Sequence, residues 1–162
     1  MYVQRNRRIR RAAAAFTLVE ILIVVIILGI LGSVIIGLFQ NGARDASTNA
    51  LRDNLRSMRS ALQVYIAQHG SYPDPANFIP QMTQFTDASG ATSTTKTTTH
   101  QYGPYIMDMP TLPLGTEKGK VGVTGMTYTP GFGWGYDPTE GKFKANLPDT
   151  DVDENGNKLN TY

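Results

Sequence analysis

From Ile21 to Phe39 the chain reads ILIVVIILGILGSVIIGLF, nineteen residues with no charge and only Ser33 polar. As a helix this run extends about 28 Å, close to the thickness of a bilayer's hydrocarbon core. Arg5, Arg7, Arg8, Arg10 and Arg11 stand ahead of it with no acidic residue among them. The positive-inside rule then keeps the N-terminus in the cytoplasm and sends everything after Phe39 across. The rest of the 162-residue chain lacks the apolar periodicity for a second span, so the expectation is a single-pass topology with one exported domain.

That topology changes how the charge is read. Without the five leader arginines, Lys+Arg falls from 15 to 10 against 13 Asp+Glu, so the exported part is acidic although the whole chain has a net charge of +2. No nucleic-acid partner is expected from such a balance. Cysteine is absent, so no disulfide holds the exported domain together.

The N-terminus departs from an ordinary secretory signal. There, a small-residue cleavage site follows the apolar core. Here Ala12, Ala13, Ala14 and Ala15 precede it, and a peptidase cutting at that point leaves the apolar helix on the product. Glu20 places a carboxylate at the entrance of the apolar segment, where an unpaired charge costs a few kcal/mol and calls for a cationic partner.

Phe16-Thr17-Leu18-Val19-Glu20 followed by the apolar run resembles the N-terminal motif of type IV pilins and type II secretion pseudopilins. The resemblance implies that a prepilin peptidase cuts between Ala15 and Phe16 and methylates the new amino group. It also implies that Glu20 pairs with the freed N-terminal amine of a neighbouring copy, making a homopolymer. Further implied partners are an inner-membrane assembly platform and minor pseudopilins. Ala15 stands where the family usually has Gly, and Gly37 lies in the apolar run where a Pro is common. Glycine costs about 1 kcal/mol in a helix interior against about 3 for proline, so local melting of the anchor is less strongly encoded. Gly29, Ser33 and Gly37 fall at i, i+4 and i+8 on one helix face. This face either admits a close neighbouring helix or reflects the ordinary abundance of glycine in membrane helices.

Beyond the anchor, Leu51, Leu55, Met58, Leu62 and Ile66 recur at helical spacing. The anchor is therefore expected to continue as a long helix over 40–69, with Gly42 as a weak point, His69-Gly70 as its C-cap, and Pro73 and Pro75 blocking continuation. Arg52, Arg56 and Arg59 flank the apolar stripe, as a solvated face or as a surface for acidic groups of a neighbour. The stretch 86–99, TDASGATSTTKTTT, predicts a mobile surface loop. After Gly103 short extended pieces are expected at Met126–Thr129, Gly133–Asp137 and Lys142–Asn146. Phe132, Trp134 and Tyr136 alternate onto one face, as core or as an aromatic ligand platform. The predicted class is α+β, pilin-like: a long N-terminal helix packed on a small antiparallel sheet. Gly70-Ser71-Tyr72-Pro73 and Gly103-Pro104-Tyr105 add a resemblance to the major pseudopilin of type II secretion.

The acidic tail 147–162 carries Asp149, Asp151, Asp153 and Asn155 at alternate positions, with Gly156 free to turn. From Asp151 the first seven residues match an EF-hand-type calcium loop, but the twelfth is Tyr162 rather than a bidentate Glu. The tail is either a weak calcium site or a solvated acidic segment. Two histidines, no cysteine and no glycine-rich phosphate loop leave no catalytic constellation, and a non-enzymatic role is expected. Three such roles are open: a secretion pseudopilus subunit, a type IV pilus subunit, or a membrane-tethered binding module that does not polymerise.

Overall fold

The computed structural model describes residues 16–162, side chains at 34 and 36–41 excepted. Helix α1 spans Leu18–His69. The chain divides into two units between Asn41 and Gly42, the glycine marked as a weak point in the sequence. Each is described by itself.

In the first unit the described side chains after Glu20 are apolar save Ser33. Among the described residues no helix is long and apolar enough to cross a membrane, the described apolar stretch Ile21–Ser33 amounting to about 20 Å. The span expected over Ile21–Phe39 thus rests on the sequence.

The second unit is built on the later turns of α1. Leu51, Leu55, Met58 and Leu62 are each at most 1% exposed, and Tyr65 extends the stripe. The helix stops where the sequence predicts: Gly70 takes a left-handed φ of 72°, and its N–H closes on Ile66 O at 2.8 Å. A Cβ is costly in that conformation, which is why glycine follows helix ends. Asp74 then caps a 3-10 turn, Pro75–Asn77, and the short helix α2, Phe78–Thr83, follows.

Two small sheets complete the unit. Strands β1 (Phe85–Thr86) and β2 (Thr92–Ser93) pair antiparallel. Strands β3 (Val123–Thr124), β4 (Trp134–Asp137) and β5 (Lys142–Ala145) form the second sheet in that order. The β4–β5 hairpin is antiparallel, in the register Trp134↔Ala145 and Tyr136↔Phe143. Phe143 and Ala145 face inward while Lys142 and Lys144 alternate outward. The sheet turns Trp134, Tyr136 and Phe143 onto the helix stripe, with the Phe78 ring tilted against Tyr136 at 4.5 Å and stacked on Phe143 at 5.7 Å. The two polar aromatics are satisfied: Trp134 Nε1 donates to Pro110 O at 2.8 Å and Tyr136 Oη to Pro73 O at 3.0 Å. Burial above all pushes both Tyr136 and Tyr65 upward, Tyr65 to about 12.

Four expectations need correction. The second sheet is mixed rather than antiparallel, because β3 runs parallel to β4 with Val123 opposite Trp134. Met126–Thr129 is not a strand: Thr129 N and O are taken by the Asn146 side chain, at 3.0 and 2.6 Å, instead of by a ladder. Phe132 is 37% exposed rather than core, since it precedes the strand in the turn around Gly131. The segment 86–99 is a hairpin as far as Ser93. Asp87 organises it by accepting from Ser89 N, Ser89 Oγ and Ala91 N, and buried Thr86 bridges to Tyr102. Gly90 has no room for a side chain there, as a Cβ would lie 2.8 Å from both Gln81 Nε2 and Tyr65 Oη.

Candidate assembly site

The first turn of α1 collects the features that the sequence singles out. Thr17 caps it: its Oγ1 accepts from Glu20 N at 3.2 Å, and its carbonyl accepts from Glu20 N and Ile21 N. Glu20 stands exposed in that turn, where a carboxylate faces the positive end of the helix dipole. Phe16 is 73% exposed just ahead of it. Ala15, the other half of the expected cleavage bond, lies outside the described residues.

Chemically, a helix start of this kind offers a carboxylate and an unfilled apolar surface. Every large hydrophobic described from Leu18 to Ile35 is between 46% and 85% exposed. A Cβ placed on Gly29 would meet nothing within 4 Å. Ser33 returns its hydroxyl to Ile30 O at 2.7 Å, which leaves no polar group reaching outward from that position. Gly37 lies in the helix, at a position whose surroundings are outside the description. The Gly29, Ser33 and Gly37 positions thus lie along one helix, with nothing among the described residues packed on Gly29.

The four oxygen-bearing residues of the tail are not gathered into one cage. Asp149 takes Lys158 Nζ at 2.6 Å and Asn160 Nδ2 at 2.9 Å, which hold its carboxyl below the usual range. Asp151 accepts from Thr116 N and Thr116 Oγ1 at 2.7 and 3.1 Å. Asp153, only 4% exposed, accepts from Tyr162 Oη, from Asn157 N and Nδ2, and from Asn155 N, and these bonds hold its carboxyl well below the ordinary value. Asn155 joins through its backbone. Among the described residues no group of three His, Cys, Asp or Glu side chains is placed to hold a metal ion. The alternation reads in sequence as a calcium loop; in space the carboxylates are spent on donors of their own fold, because the tail folds back with Leu147 and Leu159 in the core.

Three arginines of α1 hold the folded-back tail, of which Arg52 and Arg59 flank the apolar stripe in the sequence. Arg44 Nη2 donates to Val152 O at 2.6 Å. Arg59 donates to Phe143 O through Nε and Nη2, at 3.2 and 3.0 Å, and to Tyr162 O at 2.5 Å. Arg52 donates to Tyr162 Oη and sits 4.7 Å over its ring. Of the stripe Arg52, Arg56 and Arg59, Arg56 alone turns outward, to an exposed pair with Asp53 at 3.5 Å. Sequence reasoning also missed Glu117, a 6% exposed carboxylate that accepts from Tyr128 Oη and Gly131 N at 3.0 Å. Its signal is weak, a lone acid between a threonine and a lysine.

Residues 10–36 match the model of the prokaryotic N-terminal methylation motif. The chain is 31% identical over 64 residues to the type II secretion system core protein G of Pseudomonas aeruginosa, an alignment covering 40% of this chain and 45% of that protein. The chain thus matches less than half the length of that relative. No solved structure matches it.

Proposed function

Starting from an N-terminus that carries the type IV pilin-like methylation motif, we propose that this chain is a structural subunit of a type II secretion pseudopilus. A prepilin peptidase removes residues 1–15 and methylates Phe16. The anchor crosses the inner membrane once, the exported unit lies on the far side, and copies polymerise through the N-terminal helix. Glu20 then pairs with the Phe16 amine of the next copy, which is what makes a carboxylate tolerable at that depth.

The observation that carries this reading is the exposed apolar helix behind Glu20, a surface that nothing in the described chain covers. A tether without assembly has no use for the carboxylate. The similarity to core protein G favours secretion over a surface pilus. Glu20→Ala tests it: the variant should insert and be processed normally while sheared fractions lose their filaments. Normal polymer from Glu20→Ala rejects the pairing. Long retractable surface fibres in place of a short secretion-dependent filament support the pilus reading instead.

A further inference from the structure

The second unit carries a knob and a groove on opposite sides of its helix. At Met107–Asp108 the backbone bends outward between Ile106 and Met109, both of which pack on the core. Met107 is 86% exposed, more than any other large hydrophobic of this unit. Asp108 beside it is exposed too, and among the described residues it has no cation within ion-pair distance. Methionine is flexible and polarizable, which suits it to filling a partner's groove, and the acid beside it gives such a contact a charge to be matched.

The groove, of about 590 Å³, runs beside β5 and is lined by Arg59, Gln63, Met126, Lys142, Lys144 and residues of the last turn. Lys142 is occupied by Glu140. Lys144 has no ion-pair partner among the described residues, and Asp149, whose charge it feels, is held by Lys158 and Asn160. Arg59 donates to Phe143 O and Tyr162 O along the floor of the groove. Half-buried Met126 gives the groove an apolar wall between these cations.

The two features lie on opposite faces. The loop bearing the knob meets α1 at Asn54, whose Nδ2 donates to Thr111 O at 3.5 Å, whereas Gln63 lines the groove. Nine residues are two and a half helical turns, which sets Asn54 and Gln63 about 180° apart. We infer that the Met107–Asp108 bend of one copy seats in the β5 groove of a second copy, Met107 against Met126 and Asp108 toward Lys144 and Arg59. Unlike surfaces on opposite faces make a head-to-tail contact, the kind that builds an open helical filament where its rotation does not close. The inference rests on the filament reading proposed above and adds the contact made by the exported units.

The chain has no cysteine, so the contact can be probed without background. In membranes that assemble the full chain, Asp108→Cys combined with Lys144→Cys and treated with a short bismaleimide should give a ladder of dimers and higher multimers, while either single variant stays monomeric. Asp108→Lys and Lys144→Asp should each lower filament yield about tenfold, the effect of roughly 1.4 kcal/mol per contact, and the double reversal should restore it. Trp134 fluorescence checks that each variant is folded. Filaments that form with no ladder and no charge dependence overturn the contact while leaving the filament reading intact. Absence of filaments from the unaltered chain overturns both.

Discussion

Leu22 and Leu51 belong to the same helix and the same residue type, yet Leu22 is 50% exposed and Leu51 is fully buried. The contrast holds along both stretches. From residue 18 to 35 the apolar side chains surround the helix with no polar face, so no single layer of protein covers them. From 51 to 65 they form a stripe, and one sheet, one short helix and the segments that carry Leu112, Leu147 and Leu159 cover it. A stripe is completed within a chain; an apolar cylinder needs surroundings on every side, such as lipid or several other copies. The first stretch therefore points to assembly and the second to folding, and mutations in the two should be felt in different experiments.

The sharpest break of this comparison is Leu55→Ala. It should lower the unfolding free energy of the second unit by about 2–5 kcal/mol, read by denaturant titration of Trp134 fluorescence. Asn146→Ala should cost less, about 1–3 kcal/mol, by stranding Thr129 N and the carbonyls of Thr129 and Phe132. Acid comes next. Asp87, Asp137, Asp149 and Asp153 all have lowered values in the fold, set mainly by hydrogen bonds from Ser89, Thr139, Lys158 and Tyr162 respectively. Carboxyls depressed on folding stabilise fully above their unfolded value, near pH 4, and that stability is lost as pH falls through the folded values. The melting temperature should therefore drop below about pH 4, and Asp153→Asn should flatten that drop. The smallest effect is expected from Ile26→Ala: within about 0.5 kcal/mol in the same fluorescence titration, with the loss appearing in filament yield instead. A large folding defect from Ile26→Ala would erase the distinction between the stretches.

What could be read from sequence follows the range of the forces involved. The helix stripe from Leu51 to Leu62 and the stop at Gly70 are local, set by a repeat and by one backbone conformation, and both stand in the structure as read. The β4–β5 hairpin was legible for the same reason. The parallel partner β3 was not, because ten residues lie between Val123 and Trp134 and nothing near Val123 signals its pairing. Phe132 was misplaced by extending an alternation past the turn that ends it. The tail shows the limit most clearly. Its alternating acids fit a weak metal loop or a solvated segment in one dimension, and only the way the tail turns back on itself and the long-range placement of Thr116 decide what those carboxylates accept. At the N-terminal end the Glu20 and apolar pattern is plain in one dimension, and among the described residues nothing covers it.

The central claim is that the chain is a processed subunit whose mature N-terminus begins the assembly helix. Intact-mass measurement on protein extracted from membranes tests it most directly. The account predicts a mass lacking residues 1–15 and carrying one added methyl group, with Phe16 as the first residue. Assembled material that retains Met1 would contradict it.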